Sequence, residues 1–273
     1  MHKLIVVGSG IKSIAHLSEE TKKVIQNSDK VLYLVNEDNL KEWLQASAKD
    51  AESLDKIYFS SPKRIDAYRA ITDHIVKTYS EVTNLCVVFY GHPTVFADSA
   101  LDAVKQIKEQ GGNAVVLPAI SAQDCLYSDL EIDPGNQGCF SIEATELVLF
   151  ERNIDIYSHV LLWQVANFGR VDTNKSNKLS VLIDYLCSFY QPDKLLCLYE
   201  APSLPTQPAR IEWIKLINLN SSELNATTTI YIPPLNQKII NIESLKKLGL
   251  SLDDFCGLDV DNSEKISKQR SDK

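Results

Sequence analysis

The chain has 273 residues, of which 44% are hydrophobic and 23% are charged, and its formal net charge is -8. This length accommodates two domains of common size, and the negative charge argues against nucleic acid as the main partner because phosphates repel it. No apolar run approaches the roughly 18 residues of a membrane helix, and the six cysteines form no C-x-x-C pair. Met1 leads directly into a strand-like segment without the features of a signal peptide, which predicts a cytoplasmic protein without a membrane anchor.

The first 118 residues alternate strand-like apolar runs with helical patterns, which predicts βαβ units and a largely parallel sheet. Ser18 is expected to cap the first helix, and Ser61 the second, with Pro62 at its first position. The predicted strands are residues 3–10, 30–35, 56–60, 84–90 and 113–119, and the predicted helices are residues 17–29, 61–80 and 98–110.

After Pro118 the pattern changes, and residues 119–235 are predicted to form a second α/β domain with a mixed sheet. Ser121 and Asp124 have the spacing of a capping box. One helix is predicted at 178–190 and apolar runs occur at 158–166, 194–201, 209–219 and 227–234, of which the last two are able to pair as a hairpin. Residues 236–273 form an extension in which short helices at 241–250 and 251–255 precede a segment too polar to fold alone.

A glycine-rich turn follows the first predicted strand. In "GSGIKS", Gly8 and Gly10 match two positions of the dinucleotide-binding pattern G-x-G-x-x-G, but Ser13 replaces the third glycine. An NAD-binding site would also use an acid after the second strand, such as Glu37 or Asp38. A tight turn beside a ligand is the preferred interpretation.

The second predicted helix places two polar side chains on an apolar face. Arg64, Tyr68, Ile71 and Ile75 fall at i, i+4, i+7 and i+11. In one interpretation Arg64 reaches the surface and Tyr68 packs its ring. In the other, both point into a cleft, where they stabilise negative charge and relay a proton.

The segment "FYGHPTVFAD" ends the fourth predicted strand with residues that suit a ligand wall better than a core. Gly91 permits close backbone approach, and Tyr90 and Phe96 offer aromatic faces for a flat purine or a sulfonium cation. His92 has no partner at metal-ligand spacing, so no metal site is predicted. Packing of an aromatic strand end in the core is the alternative.

In this order, the segments "VVGSGIKSI", "FYGHPTVF", "LPAISAQDCLYSDLEIDPGNQG", "LLWQV" and "TTTIYIPP" resemble the tetrapyrrole methylase superfamily, the class III S-adenosylmethionine methyltransferases. The resemblance covers residues 3–235. R-x-x-x-Y at Arg64 to Tyr68, together with "YGHPTVF" and "YIPP", is most similar to the borosin peptide backbone α-N-methyltransferases. It implies two α/β domains of the tetrapyrrole methylase fold, S-adenosylmethionine in the interdomain cleft, S-adenosylhomocysteine as its product, and a homodimer.

The resemblance also implies residue roles. Arg64, Tyr68 and Tyr90 would be catalytic: Arg64 holds the oxygen of a deprotonated amide, and Tyr68 accepts or relays the amide proton. Tyr58 would be a substrate neighbour. The cofactor pocket would comprise Tyr90, His92, Val95, Phe96, Ser121, Ala122, Gln164, Ala201, Thr228 and Thr229.

Fungal members of this family carry their target as an apolar C-terminal tail, whereas residues 259–273 here have Val260 and Ile266 as their only aliphatic residues. We therefore expect the split bacterial form, in which a separate precursor peptide is methylated in trans, with the C-terminal helices helping to dock it. Two alternatives are a tetrapyrrole C-methyltransferase of the precorrin or uroporphyrinogen type, and a non-catalytic peptide-binding subunit that retains the cofactor pocket.

Overall fold

The computed structural model describes residues 2–61, 63–170, 178–235 and 240–255. They form two five-stranded sheets with helices packed on them, and this α/β architecture confirms the predicted fold class. The strands are β1 Lys3–Gly8, β2 Lys30–Leu34, β3 Ala51–Ser53, β4 Asn84–Phe89, β5 Asn113–Val116, β6 Cys139–Glu143, β7 His159–Trp163, β8 Leu195–Glu200, β9 Arg210–Lys215 and β10 Thr229–Ile232.

The helices connect these strands and lie against the sheets. They are α1 Glu19–Asn27, α2 Asp38–Ser47, α3 Asp55–Tyr58, α4 Arg64–Glu81, α5 Asp98–Glu109, α6 Ala122–Asp129, α7 Pro134–Gln137, α8 Ala144–Leu149, α9 Leu179–Cys187 and α10 Ile242–Lys247. Short 3-10 turns occur at Ser13–His16, Val165–Asn167, Leu216–Ser221 and Leu252–Phe255.

The first sheet is parallel throughout, in the order β3-β2-β4-β1-β5. Its central strands are buried on both faces, as expected for a parallel sheet covered by helices. Ser18 caps α1 by accepting a hydrogen bond from the Thr21 N–H, as predicted. The alternation of strands and helices therefore gives the βαβ units expected from the sequence.

The second sheet is mixed, as predicted, in the order β6-β7-β10-β8-β9. Strand β6 runs parallel to β7, and the other pairs are antiparallel. One face of this sheet packs against the first half of the chain: Ile11, from the loop after β1, is buried in the same apolar cluster as Leu161 and Tyr199. This contact joins the two halves beside the site described below.

Two strand predictions are wrong. Residues 56–60 do not form a strand, because Tyr58 N–H bonds back to the Leu54 carbonyl and closes a helical turn, α3. The hairpin between residues 209–219 and 227–234 is also absent, because β10 lies between β7 and β8 while β9 pairs with β8. All of β10 is buried, which suits a central position, whereas β9 is mostly exposed and forms the edge.

The predicted start of the second helix is also wrong, because α4 begins at Arg64 after Lys63, which makes no side-chain cap. Ser61 therefore does not cap it, and Pro62 lies outside the described residues. Six of the α-helices and strands that the structure describes were not predicted: α2, β3, α3, α7, β6 and α8.

The C-terminal part agrees with the sequence as far as it is described. Helix α10 and the turn at Leu252–Phe255 correspond to the two predicted short helices, whereas the polar segment 259–273 lies outside the described residues. The division into domains at residues 118, 119 and 235 stays a prediction. Among the described residues, no helix combines the length and the apolar character needed to cross a bilayer.

Candidate active site

A cavity of about 420 Å³ lies between the two sheets, at the carboxyl ends of β2 and β4. Open α/β sheets place their ligands at this edge. The cavity brings together every site residue predicted from the sequence, from both halves of the chain. These are Tyr58, Arg64, Tyr68, Tyr90, His92, Val95, Phe96, Ser121, Ala122, Gln164, Ala201, Thr228 and Thr229.

Two glycine-bearing loops form the part of the cavity next to β1 and β4. Gly10 and Gly91 exchange backbone hydrogen bonds of 3.2 and 3.1 Å, and both have positive φ angles. A Cβ atom on Gly8 would lie 2.1 Å from the Gly91 carbonyl oxygen, so no larger residue fits there. The glycines therefore serve the close approach of the two loops, as the tight-turn interpretation expects.

The glycine loop does not present its backbone to a dinucleotide. The N–H groups of Ile11 and Lys12, which would face a pyrophosphate, both donate to His16 Nδ1 at 3.2 Å. Glu37, a candidate for the ribose contact, caps α2 through the N–H groups of Asn39 and Leu40. These bonds disfavour an NAD-dependent oxidoreductase.

Helix α4 carries the two polar residues of the predicted face into the cavity. Ile71 and Ile75 are fully buried below them, while Arg64 and Tyr68 are half-buried and line the cavity. Among the described residues, Arg64 forms no ion pair and no hydrogen bond. Its guanidinium donors are therefore available to a bound group.

Two phenols of the site, Tyr68 and Tyr90, are held in their protonated form. The ring of Tyr58 stacks on that of Tyr68, with 6.2 Å between centroids. Burial, followed by Tyr58, raises the pKa of Tyr68, and the nearby Arg64 opposes this rise while Asp98 adds to it. Burial also raises the pKa of Tyr90, with a smaller contribution from Cys125. Both phenols are hydrogen-bond donors near neutral pH.

The turn after β4 holds His92 and Phe96 in fixed positions. His92 Nδ1 accepts from the Thr94 N–H at 3.3 Å, so a neutral ring carries its proton on Nε2. Phe96 has a φ of 54°, which is strained for a bulky residue, and it is 47% exposed. In the part of the chain that the structure describes, no three His, Cys, Asp or Glu side chains are grouped to hold a metal ion.

The opposite wall begins with an aromatic residue that the sequence analysis did not single out. The Trp163 ring lies 6.1 Å from that of Phe96, and its indole N–H donates to Ser141 Oγ at 2.7 Å. The next residue, Gln164, has a left-handed φ of 59° and accepts a bond from Asn167. Trp163 had a signal in the sequence, since it stands beside Gln164 at a strand end.

A polar cluster orders the turn before β10. The Thr228 hydroxyl donates to Glu200 Oε1 at 2.6 Å and accepts from the Asn225 N–H at 2.8 Å. Arg210 also donates to this carboxylate at 2.6 Å. Burial tends to raise the pKa of Glu200, but the bonds from Thr228, Arg210 and Asn225 together lower it. Thr228 therefore fixes the turn that presents Thr229 to the cavity.

Among the described residues, the ionisable side chains that line the cavity all come from the first half of the chain. They are Asp55, Tyr58, Arg64, Tyr68, Tyr90, His92 and Asp98. The described lining residues from Ser121 onwards are uncharged. Asp98 was not predicted as a site residue, although it ends the quoted segment "FYGHPTVFAD" and opens a helix.

Comparison with known families agrees with this geometry. Residues 3–199 match the family described as Tetrapyrrole (Corrin/Porphyrin) Methylases. The chain belongs to this family. The superfamily expected from the sequence is thereby confirmed.

Two relatives are fungal proteins whose names combine a methyltransferase with a peptide precursor. The chain is 34% identical over 254 residues to the "Methyltransferase/ribosomally synthesized type I borosin cyclic peptide precursor" of Gymnopilus junonius, covering 91% of this chain and 61% of the relative. It is also 34% identical over 254 residues to the methyltransferase and lentinulin A precursor of Lentinula edodes, covering 90% of this chain and 61% of that one. The chain thus spans less than two thirds of these relatives.

Two solved structures share the fold. Uroporphyrin-III C-methyltransferase of Thermus thermophilus aligns with a TM-score of 0.61 at 15% identity, covering 92% of this chain and 97% of the enzyme. A second structure of the same enzyme, complexed with S-adenosylhomocysteine, aligns with a TM-score of 0.56 at 14% identity, covering 85% of this chain and 92% of that one. At this identity the likeness concerns the fold.

Proposed function

We propose that this protein is an S-adenosylmethionine-dependent methyltransferase that methylates backbone amide nitrogens of a ribosomally made precursor peptide. The observation that carries the proposal is the meeting of Arg64, Tyr68 and Tyr90 in one cavity with an aromatic wall opposite. The borosin descriptions of the fungal relatives support the peptide substrate.

The cavity fits the cofactor in size and in chemistry. Its volume of about 420 Å³ lies within the range of roughly 300–1,000 Å³ that is usual for ligand pockets. Tyr90, Phe96 and Trp163 offer faces to a purine or a cation, and Gln164 and Thr229 offer uncharged polar contacts. When bound, S-adenosylmethionine supplies an electrophilic methyl group, and its sulfur keeps the electron pair of the broken C–S bond.

The wall of the cavity that carries Arg64 and Tyr68 supplies the groups that methylation of an amide nitrogen requires. The nitrogen lone pair is delocalised into the carbonyl group, so methylation requires loss of the N–H proton and charge accumulates on the carbonyl oxygen. Arg64 has no hydrogen-bond or ion-pair partner among the described residues and is able to stabilise that oxygen with two donors. Tyr68 moves the proton, and the raised pKa of Tyr68 means that it acts as a relay and not as a phenolate base.

The charge of the cavity favours a peptide over a tetrapyrrole. A tetrapyrrole that bears several carboxylates would be bound by several basic side chains. Arg64 is the single Lys or Arg among the described residues that line this cavity, and Asp55 and Asp98 lie on the same wall. The rim is instead apolar: Phe59 is 76% exposed at the cavity, and Val95 is 42% exposed.

The separate supply of the peptide, as in the split bacterial form, is part of the proposal. Docking of the peptide by the C-terminal helices and the cytoplasmic location remain predictions.

A homodimer is also proposed. On the edge strand β9, Ile211 and Trp213 are 41% and 47% exposed, next to an otherwise packed face of the second sheet. Such an uncovered apolar edge is typical of an interface. Light scattering coupled to size-exclusion chromatography measures the oligomeric state.

The function is tested by supplying methyl-labelled S-adenosylmethionine with three substrates in parallel. These are peptides encoded by short reading frames beside the gene, a synthetic peptide from the precursor part of the Lentinula edodes relative, and uroporphyrinogen. We expect label on backbone nitrogens of a peptide, located by tandem mass spectrometry. Label on uroporphyrinogen carbon would support the tetrapyrrole alternative, and cofactor binding without transfer to any of them would support the non-catalytic subunit.

A further inference from the structure

Asp98 is a carboxylate of the cavity that the proposed roles leave unused. It is the first residue of α5 and it is exposed. Among the described residues, its carboxylate makes no hydrogen bond and no ion pair. The other carboxylate that lines the cavity, Asp55, is paired with Lys41 at 2.9 Å. Asp98 is therefore the one that is available to receive a proton.

A buried hydrogen bond links the backbone beside Asp98 to the backbone of Tyr68. Thr72, one helical turn after Tyr68, is 3% exposed. Its hydroxyl lies 3.0 Å from the Tyr68 carbonyl oxygen and 3.1 Å from the Ser99 carbonyl oxygen, and it is shared between them. Since Ser99 follows Asp98 directly, this bond joins the start of α5 to α4. The phenol and the carboxylate thus meet the cavity from two helices tied together in the core.

Because the Tyr68 hydroxyl is protonated, it needs a proton acceptor beside it if it is to take a proton from the peptide. Burial, Tyr58 and Asp98 raise the pKa of Tyr68, so its hydroxyl is protonated near neutral pH. A protonated phenol accepts a proton from an amide only if it releases its own at the same time. The released proton needs an acceptor on the far side of the phenol from the peptide.

We propose that Asp98 accepts the hydroxyl proton of Tyr68 through one water molecule, while the Tyr68 oxygen takes the proton of the peptide amide. This inference rests on the proposed function. The electron pair of the broken N–H bond stays on the amide and forms the bond to the methyl carbon. One proton leaves the amide and one arrives on the Asp98 carboxylate, which passes it to solvent because the side chain is exposed.

Other titratable groups face the same cavity, so the variants that test the pH dependence must leave these residues unchanged. From α3, α4 and the turn after β4, the groups that share the cavity with Asp98 are Asp55, Tyr58, Arg64, Tyr68, Tyr90 and His92. On α5 itself, Asp102 lies one turn further and is exposed outside the cavity. Asp102→Asn therefore removes the same charge from the same helix and is the matched control.

The first experiment compares single-turnover methylation by the wild-type chain, Asp98→Asn, Asp98→Glu and Asp102→Asn across pH, with the peptide that the wild-type chain methylates. We expect Asp98→Asn to slow the step by about 10²-fold, without weakening cofactor binding. The Asp98→Asn rate should follow hydroxide concentration, because solvent must then take the proton, whereas the wild-type rate should depend less steeply on pH. Asp98→Glu should restore part of the rate, and Asp102→Asn should match the wild type.

A second readout does not depend on a peptide. Titration of ¹³C-labelled tyrosine by NMR, with Tyr68→Phe to assign the signal, should give a lower pKa for Tyr68 in Asp98→Asn than in the wild type or Asp102→Asn. An unchanged Tyr68 titration, or an unchanged rate and pH profile in Asp98→Asn, would overturn the inference. If the wild-type chain methylates no peptide, the proposed function fails, and the tyrosine titration alone decides whether Asp98 acts on Tyr68.

Discussion

The two walls of the cavity differ in chemistry. In the part of the chain that the structure describes, the wall built by α3, α4, α5 and the turn after β4 contains every ionisable group that lines the site. The lining residues of the second wall, which come from Ser121 onwards, are uncharged there. A reaction that creates charge and moves protons requires groups of the first kind. Recognition of a cofactor requires shape, aromatic faces and fixed polar contacts, which the second wall supplies. The difference suggests that turnover and cofactor affinity are separable by mutation.

Among the substitutions that test the separation of turnover from cofactor affinity, Arg64→Ala is expected to have the largest effect. Loss of the group that stabilises the carbonyl oxygen should lower kcat by about 10³-fold, while the dissociation constant of S-adenosylmethionine stays nearly unchanged. Single-turnover kinetics and calorimetric titration measure the two quantities. Arg64→Lys keeps the charge without the two-pronged donor and should fall between the wild type and alanine. Full activity of Arg64→Ala would remove Arg64 from the reacting wall.

Tyr68→Phe removes one hydroxyl and keeps the stacked ring. The single-turnover rate should fall by about 10²-fold because the proton relay is lost, and the affinity for the peptide should change little. Tyr79→Phe is a suitable comparison, since Tyr79 lies on the same helix but outside the cavity. An unchanged single-turnover rate in Tyr68→Phe would refute the relay.

The caps and the site residues were largely predictable from the sequence, whereas the strand pairing was not. Two of the three predicted caps form: Ser18 and the Ser121–Asp124 capping box are present, because a cap depends on a few consecutive residues. The third, Ser61, does not cap α4. The motif resemblance named thirteen site residues, and all thirteen line one cavity in the structure. Long-range pairing was not predictable, since the insertion of β10 between β7 and β8 follows from burial of distant strands.

The secondary structure of short apolar runs was also not predictable from the sequence. Residues 56–60 have the composition of a strand, yet they close a helical turn that brings Tyr58 onto Tyr68. Asp98 was missed for a related reason. An acid in the first turn of a helix is ordinary, and only the folded chain shows that Asp98 shares a cavity with Tyr68.

Thr228→Val tests the second wall. The substitution keeps the volume but removes a donor to Glu200 and an acceptor for the Asn225 N–H. The turn that presents Thr229 should loosen, so affinity for S-adenosylmethionine should fall by about tenfold, with kcat close to that of the wild type. A fall in kcat at saturating cofactor, with affinity preserved, would contradict the separation of the two walls.

Glu200→Gln should produce the smallest effect, on stability and its pH dependence. The pKa of Glu200 is lowered in the folded chain, so its stabilisation is present at neutral pH and is lost as pH falls through that lowered pKa. We expect Tm at neutral pH to fall by about 2–4 °C. Melting curves of wild type and variant should converge on acidification, and a constant difference would show that the carboxylate charge is not involved.

The most direct test of the account combines the two walls in one measurement. The wild-type chain, Arg64→Ala and Thr228→Val are incubated with a precursor peptide and saturating methyl-labelled S-adenosylmethionine, and tandem mass spectrometry locates the label. We expect backbone N-methylation by the wild type and by Thr228→Val, and none by Arg64→Ala with its cofactor bound. Label on side chains or on no peptide at all, or equal methylation by Arg64→Ala, would contradict it.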